Sequence, residues 1–514
     1  MDFKAILSDK YFVSGSVAAL VVVLSLLRRS RSRPPYPPGP KPKFLFKNLF
    51  DFPSKRVWET YTNWGKEYGD VVHIEMLGMH FLVLNSVTAT ADLLEKRSTI
   101  YSDRPWLPTI PLMGWDFSFS FMSYNDEWQK QKKMFHQSFR KEALVDYHHV
   151  LLGKVRDMLR SLLSSPDNYE EHVKVMISAV IMAMIYDYDV KSMKDRYVDL
   201  QQEAMQRLSE AAIPGRFMVN IFPWLKYVPA WFPGAGFQYY FRDTRRLLNE
   251  MKAEPFEYVK ENIKNGTDRQ SIVRDLINEN NAQGFSQKQD DMIRDVTGVA
   301  YAAAVESTNA TVLVFMLAMA ENPEIMRKGQ AELDAVVGMG NLPGFEHRPA
   351  LPYCEAIFRE LFRWRPVAPV AIAHATNEDD IYRGYFIPKG TIVLPNIWGM
   401  VNDETKYSNP ERYYPERYMT ADGKINSDDH IIGFGFGRRL CPGRDPAEAT
   451  VWGTVVTMLA LLDIAPGKDS AGNTVKLEHG PDSFTDGMVS QPKTTKYSIT
   501  PRNEITKQLI MNVF

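Results

Sequence analysis

Phe434-Gly435-Phe436-Gly437-Arg438-Arg439-Leu440-Cys441-Pro442-Gly443 decides how the rest of this chain is read. Cys441 is one of only two cysteines in 514 residues, so a disulfide framework does not account for it. Gly435, Gly437 and Gly443 let the backbone turn tightly around the thiol and approach a flat group closely. Backbone N–H groups in such a turn point at the sulfur and stabilise a thiolate. Arg439 adds a fixed cation whose fork matches a carboxylate. A thiolate held among glycines beside an arginine is what a haem iron with two propionates requires. A buried structural cysteine beside a glycine turn is the plainer alternative. The joint placement of Phe434, Gly437, Arg439, Cys441 and Gly443 favours the haem loop.

The pattern Phe-x-x-Gly-x-Arg-x-Cys-x-Gly resembles the haem-binding loop of the cytochromes P-450. The resemblance implies a mainly α fold with a small β region, and haem b with Cys441 as the axial ligand of its iron. The rest of the chain agrees with it. From Tyr11 to Leu27 the sequence is apolar and free of charge, enough for about 26 Å of helix, which just crosses a bilayer core. Arg28, Arg29, Arg31 and Arg33 follow, which places the main body on the cytosolic side. A cleaved signal peptide competes with this reading, but no clear small-x-small cleavage site follows the apolar stretch. Residues 1–33 therefore read as a membrane anchor with a basic flank. Residues 34–40, Pro34-Pro35-Tyr36-Pro37-Pro38-Gly39-Pro40, read as a stiff hinge. Residues 41–514 read as one catalytic domain, since no second linker or repeat interrupts them. The order of anchor, basic residues and proline hinge is similar to that of microsomal cytochromes P-450, which implies a single-pass endoplasmic reticulum protein.

Hydrophobic residues at 45% suffice for a large core, and a net charge of −1 gives no support to nucleic-acid binding. Val71–Met76 and Phe81–Leu84, largely apolar runs separated by Leu77-Gly78-Met79-His80, read as a β-hairpin. Ala89–Lys96, Trp128–Phe139 and most of 141–165 read as helices, with strands at Ile381–Phe386 and Thr391–Leu394. Leu225–Ala235 is an aromatic loop, either packed on the body or dipping into a bilayer.

Val296–Ala320 is apolar nearly all round, as a helix buried in a large protein must be, and Glu306 is its one charge. A lone buried carboxylate needs a partner or a task. Ala303-Ala304-Val305-Glu306-Ser307-Thr308 resembles the oxygen-activation motif of the family, with Ala304 for the usual glycine and Ser307 for the usual threonine. The resemblance implies that Glu306 and Ser307 relay protons to dioxygen, with Thr308 as a second hydroxyl about 100° further round.

Glu360 and Arg363 share one helix face, and Pro415-Glu416-Arg417-Tyr418 lies downstream. In the family a Glu-x-x-Arg pair and a later arginine form an ion-pair triad, which implies the same for Glu360, Arg363 and Arg417. Trp128 and Lys132 match the family's Trp-x-x-x-Arg/Lys, and His374 its later propionate-binding position. Cys354 reads as an inert helix residue. The departure from His-Leu-Ala-Glu at Arg444-Asp445-Pro446-Ala447-Glu448 has no account at this level.

The resemblance is strongest to fungal microsomal members of secondary metabolism. It implies an NADPH-dependent monooxygenase fed by a cytochrome P-450 reductase, and possible service by cytochrome b5. Lys130, Lys132, Lys133 and Arg140 make a basic face for an acidic partner. The segments Trp106–Met122, Tyr301–Val305, Val367–Ile372 and Phe484–Val489 are apolar and aromatic, suited to a lipophilic terpenoid, polyketide or indole. Asp116 and Asp486 read as solvated loop acids, with partners for a substrate amine as the alternative. Two further readings stay open: a haem-thiolate isomerase or dehydratase without a reductase, and a haem-binding protein without turnover.

Overall fold

The computed structural model describes residues 34–512 apart from 45, 214, 429 and 430. The expected anchor at 1–33 lies outside the described residues. The hinge is tied to the body: Phe386 N–H donates to the Pro35 carbonyl (2.8 Å) and His73 N–H to that of Pro38 (2.9 Å). A Cβ on Gly39 would sit 2.0 Å from the His73 oxygen, so this close approach needs glycine.

Strands β1 (Val71–Met76) and β2 (Met79–Leu84) form the expected hairpin. The turn is tighter than the sequence suggests, with only Leu77 (φ 49°) and Gly78 (φ 82°) left outside the strands. Positive φ at both central residues matches the twist of the strands. The sheet runs β1-β2-β6-β3, with β3 at His374–Ala375 and β6 at Ile392–Pro395; β2 and β6 are parallel and the other pairs antiparallel. The single strand expected over Ile381–Phe386 is two, β4 (Asp380–Tyr382) and β5 (Tyr385–Ile387), reversed by Arg383 and Gly384 at φ 50° and 82°. β7 (Leu462–Pro466) and β8 (Tyr497–Pro501) make a separate pair.

The rest is largely helical. The helices that position the site are α1 (Asp126–Phe139), α2 (His148–Ser164), α3 (Tyr169–Tyr186), α4 (Arg196–Ala212), α5 (Phe237–Asn265), α6 (Gln287–Glu321), α7 (Pro352–Trp364) and α8 (Arg444–Leu461). Asn125 caps α1 by accepting Trp128 N–H at 2.9 Å, which fixes the register that presents Trp128 and Lys132 on one face. Among the described residues α6 alone is long and apolar enough to cross a membrane, at about 52 Å. Instead it is the axis of the core, with Val312, Val314, Phe315 and Met316 all 0% exposed and α3, α5 and α8 packed around it. Ala89–Lys96 is helical as expected, but its second half, Asp92–Lys96, is wound as a π-helix.

Candidate active site

The 434–443 loop is built by its glycines, each for a different reason. Gly435 has φ 88° and Gly437 φ 56°, backbone that L side chains rarely adopt. A Cβ on Gly437 would also lie 2.1 Å from the Leu94 carbonyl oxygen of the π-helix. At Gly443 φ is −85°, and a Cβ there would meet only ordinary contacts with protein atoms, at 3.9 Å from Cys441 Sγ. Its contribution is its N–H, which bonds the sulfur. Cys441 N–H donates to the Phe434 carbonyl (2.8 Å), closing the loop, and Phe434 packs 5.2 Å from Phe362 of α7.

Cys441 lies deep in the protein, yet its side chain is exposed, so it borders an internal cleft. Burial pushes its thiol up, against the Gly443 N–H and the Lys132 cation, which pull it down. On α6, Ala303 is exposed while its neighbours Ala302 and Val305 are buried, as expected for a helix face open to such a cleft. Ala304 and Ser307 are half-buried beside it, and Ser307 Oγ donates back to the Ala303 carbonyl at 3.2 Å. Thr308 is turned away and buried, and Tyr301 is wholly buried rather than lining the cleft. Glu306 is half-buried and has the partner that a lone acid in a buried helix calls for, Lys174 of α3 at 3.7 Å.

The cations form a cluster. Arg439 donates to the carbonyls of Ser102 (2.8 Å), Phe119 (3.2 Å) and Met122 (2.7 Å), and its guanidinium covers the Trp128 ring at 4.4 Å. Lys132 donates to the Arg438 carbonyl. His374 is held through Nδ1 on the Tyr101 carbonyl at 2.9 Å, leaving Nε2 for another partner. Arg104 joins them, buried and bonded only to the carbonyls of Ser120, Ile372 and Ala373. Sequence reasoning missed it, and no local pattern around Ser102-Asp103-Arg104-Pro105 marks it out. Burial pulls Arg439 down to about 10, Arg104 to about 9, Lys132 to about 8 and His374 to about 3, with mutual repulsion among the cations adding to it for the last three. Asp103 is the nearby acid, and its Oδ1 is taken by the N–H groups of Arg104 and Tyr124. Three cations in a low-dielectric pocket, without a carboxylate among their hydrogen-bond acceptors, fit a group that brings two propionates, and the thiol fits its iron.

Behind the loop the triad is assembled. Arg363 makes two bonds to Glu360, both 2.8 Å, and Arg417 Nε lies 3.1 Å from the same carboxylate. Asp445 accepts Lys141 N–H at 3.2 Å, tying the start of α8 to the end of α1, and Arg444 pairs with Glu448 at 2.5 Å. These contacts account for the unusual segment after the cysteine. Cys354 is fully buried, with its Sγ 3.7 Å from the Gly329 carbonyl.

Three other expectations shift. Lys130, Lys133 and Arg140 are exposed, but Lys132 turns inward and leaves the basic face. Asp116 is exposed, and Asp486 accepts Arg56 N–H at 3.0 Å on the surface, so neither is arranged as an amine site. The aromatic loop is not packed down: Trp224 is 62% exposed, and Tyr227 and Trp231 are each 77% exposed.

A family model described as Cytochrome P450 matches residues 37–494. The chain is 38% identical to Cytochrome P450 monooxygenase COX2 of Coprinopsis cinerea, over 91% of this chain and 90% of that one. It is 34% identical to Tryptamine 4-monooxygenase of Psilocybe cyanescens, over 96% and 97%. It is 35% identical to Cytochrome P450 monooxygenase 98 of Postia placenta, over 98% and 96%.

Proposed function

The chain belongs to the cytochrome P450 family and is a haem-thiolate monooxygenase; from that premise we propose that it oxidises a lipophilic fungal secondary metabolite of terpenoid, polyketide or indole type. The observation that carries this reading is the exposed aromatic loop at 222–232, poised to take apolar molecules from a membrane into the cleft beside Cys441. The relatives are named monooxygenases, so neither a rearranging enzyme nor a silent haem carrier is favoured.

Bound haem supplies the activation of dioxygen, with electrons from NADPH. Cys441 would supply the thiolate that holds its iron, with the Gly443 N–H stabilising the sulfur. Arg439, Arg104, Lys132, Trp128 and His374 would hold its propionates. Ala303 and Ala304 keep the α6 face beside the cleft small. Ser307 and Glu306 hold and move protons there, and Glu306 is paired with Lys174 of α3 at 3.7 Å. Lys130, Lys133 and Arg140 dock an acidic NADPH-cytochrome P-450 reductase, or cytochrome b5. Residues 1–33 anchor the protein in the endoplasmic reticulum, with the catalytic domain in the cytosol.

The test uses microsomes holding this chain and a fungal reductase, fed terpenoids, polyketides and indole-ethylamines under labelled dioxygen. A labelled product that requires NADPH and is lost in Cys441→Ser identifies the substrate class. Unlabelled products indifferent to NADPH would overturn the assignment.

A further inference from the structure

Helix α4 carries a polar side chain that its surroundings do not call for. Gln201 is 0% exposed, among the buried Val198, Leu200, Ala204 and Leu208. Its Nε2 donates to the Ala302 carbonyl of α6 at 3.0 Å. Its Oε1 is buried and has no partner among the described residues. An apolar residue would fill the place without leaving an acceptor unpaired. What the glutamine adds is one bond, to a particular peptide group. In a helix the Ala302 carbonyl receives the N–H of Glu306, so Gln201 grips the head of the turn that carries Ala303, Ala304, Glu306 and Ser307.

A second bond joins the same helices. Tyr301 Oη donates to the Tyr197 carbonyl at 2.9 Å, one turn before Gln201 on α4. It seats α4 on α6 without touching the Ala302 carbonyl. Beyond its C-terminus, α4 runs into the segment bearing the exposed Phe222, Trp224, Tyr227 and Trp231.

We propose that Gln201 is a positioning residue for proton delivery, linking the helix that leads to the exposed aromatic loop to the backbone turn of Glu306 and Ser307. The proposal rests on the reading of Glu306 and Ser307 as the proton relay. Without the Gln201 bond the Ala302 carbonyl is left with its helix hydrogen bond alone, and protons reach the reacting oxygen less reliably. More of the oxygen consumed then leaves as hydrogen peroxide, which takes two electrons from one NADPH. Less leaves as water, which takes four electrons from two.

The experiment compares Gln201→Leu, Tyr301→Phe and Glu306→Gln as full-length holoproteins with an NADPH-dependent flavoprotein reductase. It needs no organic substrate. The readouts are the ratio of peroxide to water formed and the hydrogen-exchange rate of amides 302–308. The carbon monoxide difference spectrum and thermal midpoint report whether each variant is folded. Gln201→Leu is expected to raise both readouts about threefold, the factor that one neutral hydrogen bond represents. Tyr301→Phe is expected to leave both within error. Equal changes in Gln201→Leu and Tyr301→Phe would mean that only helix seating matters, and would overturn the proposal. So would a Gln201→Leu protein unchanged in peroxide ratio while Glu306→Gln rises. If Glu306→Gln itself changes nothing, the relay reading fails and the proposal falls with it. Should Gln201→Leu not accumulate, Gln201→Met keeps the length and flexibility of the side chain for the same comparison.

Discussion

Glu360→Gln tests whether the triad behind the thiolate loop is a single electrostatic unit with one indispensable member. Glu360 is 0% exposed, and the side chains of Arg363 and Arg417 are 2% and 9% exposed. The carboxylate receives two bonds from Arg363, one from Arg417 and the Tyr414 N–H at 2.9 Å. Neutralising it leaves two guanidiniums buried with carbonyl partners only, those of Val401, Arg412 and Ser408. Removing one partner of a buried ion pair costs about 3–5 kcal/mol. For a chain of this size that lowers the thermal midpoint by roughly 3–5 °C. Arg417→Met differs in kind. It leaves the two-pronged Glu360–Arg363 pair intact and removes the most solvated member, so the cost is about 1–2 kcal/mol, or roughly 1–2 °C. The assay is thermal unfolding of holoprotein, with haem content by carbon monoxide difference spectrum. If Arg417→Met matches or exceeds Glu360→Gln, Glu360 is not the hub and the reasoning fails.

Gly437→Ala places a Cβ against the Leu94 carbonyl at a left-handed φ, so haem incorporation should fall at least tenfold, whereas Gly443→Ala should retain most of it. His73, 3.0 Å from His80 and stacked on Tyr36, is held down to about 4 by burial and by His80. A folded value below the unfolded 6.5 means that its contribution is complete above pH 6.5 and lost as pH falls toward 4, about 3 kcal/mol in all. The thermal midpoint of His73→Phe should therefore depend less steeply on pH in that window, and an unchanged slope would refute the assignment. Brominated lipids should quench the fluorescence of the full chain, and Trp224→Phe with Trp231→Phe should remove much of that quenching if the 222–232 loop enters the bilayer.

Local patterns carried far in this chain. The hairpin at 71–84 follows from two apolar runs around 77–80, and most of α6 from the mostly apolar stretch Val296–Ala320 with its one charge. The loop at 434–443 follows from glycines that the backbone does require at 435 and 437. What escaped was long-range. Arg104 joins the site through carbonyls at 120, 372 and 373. Glu306 meets Lys174 from a helix more than a hundred residues earlier. A side chain's partner across the fold leaves no periodic trace, so an acid in a helix and an arginine in a loop read as isolated until the chain closes around them. The misread strand at 381–386 is a different failure. Arg383-Gly384 is a turn signal between Ile381-Tyr382 and Tyr385-Phe386, and reading across it merges two short strands into one.

The charges around Cys441 also predict that this site and its cofactor form one folding unit. Arg104, Lys132 and Arg439 crowd together in a pocket that weakens each of them as a cation, while burial works against the thiolate a few residues away. These penalties have opposite sign and different location, so no single point charge relieves both. An arginine near the sulfur would deepen the crowding, and an aspartate near the cations would still leave the thiol protonated. A flat group with a metal at its centre and two carboxylates at its edge relieves both at once, and it binds the native state alone. Folding of the 434–443 loop, the start of α1 and the 104–122 segment is therefore coupled to haem binding, whereas the triad at Glu360 is neutralised within the protein and needs no cofactor. Chain made without haem should accordingly lose protection from proteolysis at 104–122 and 434–443 while α7 keeps its own. Equal protection of all three segments in apoprotein and holoprotein would show that the cation cluster carries no such coupling.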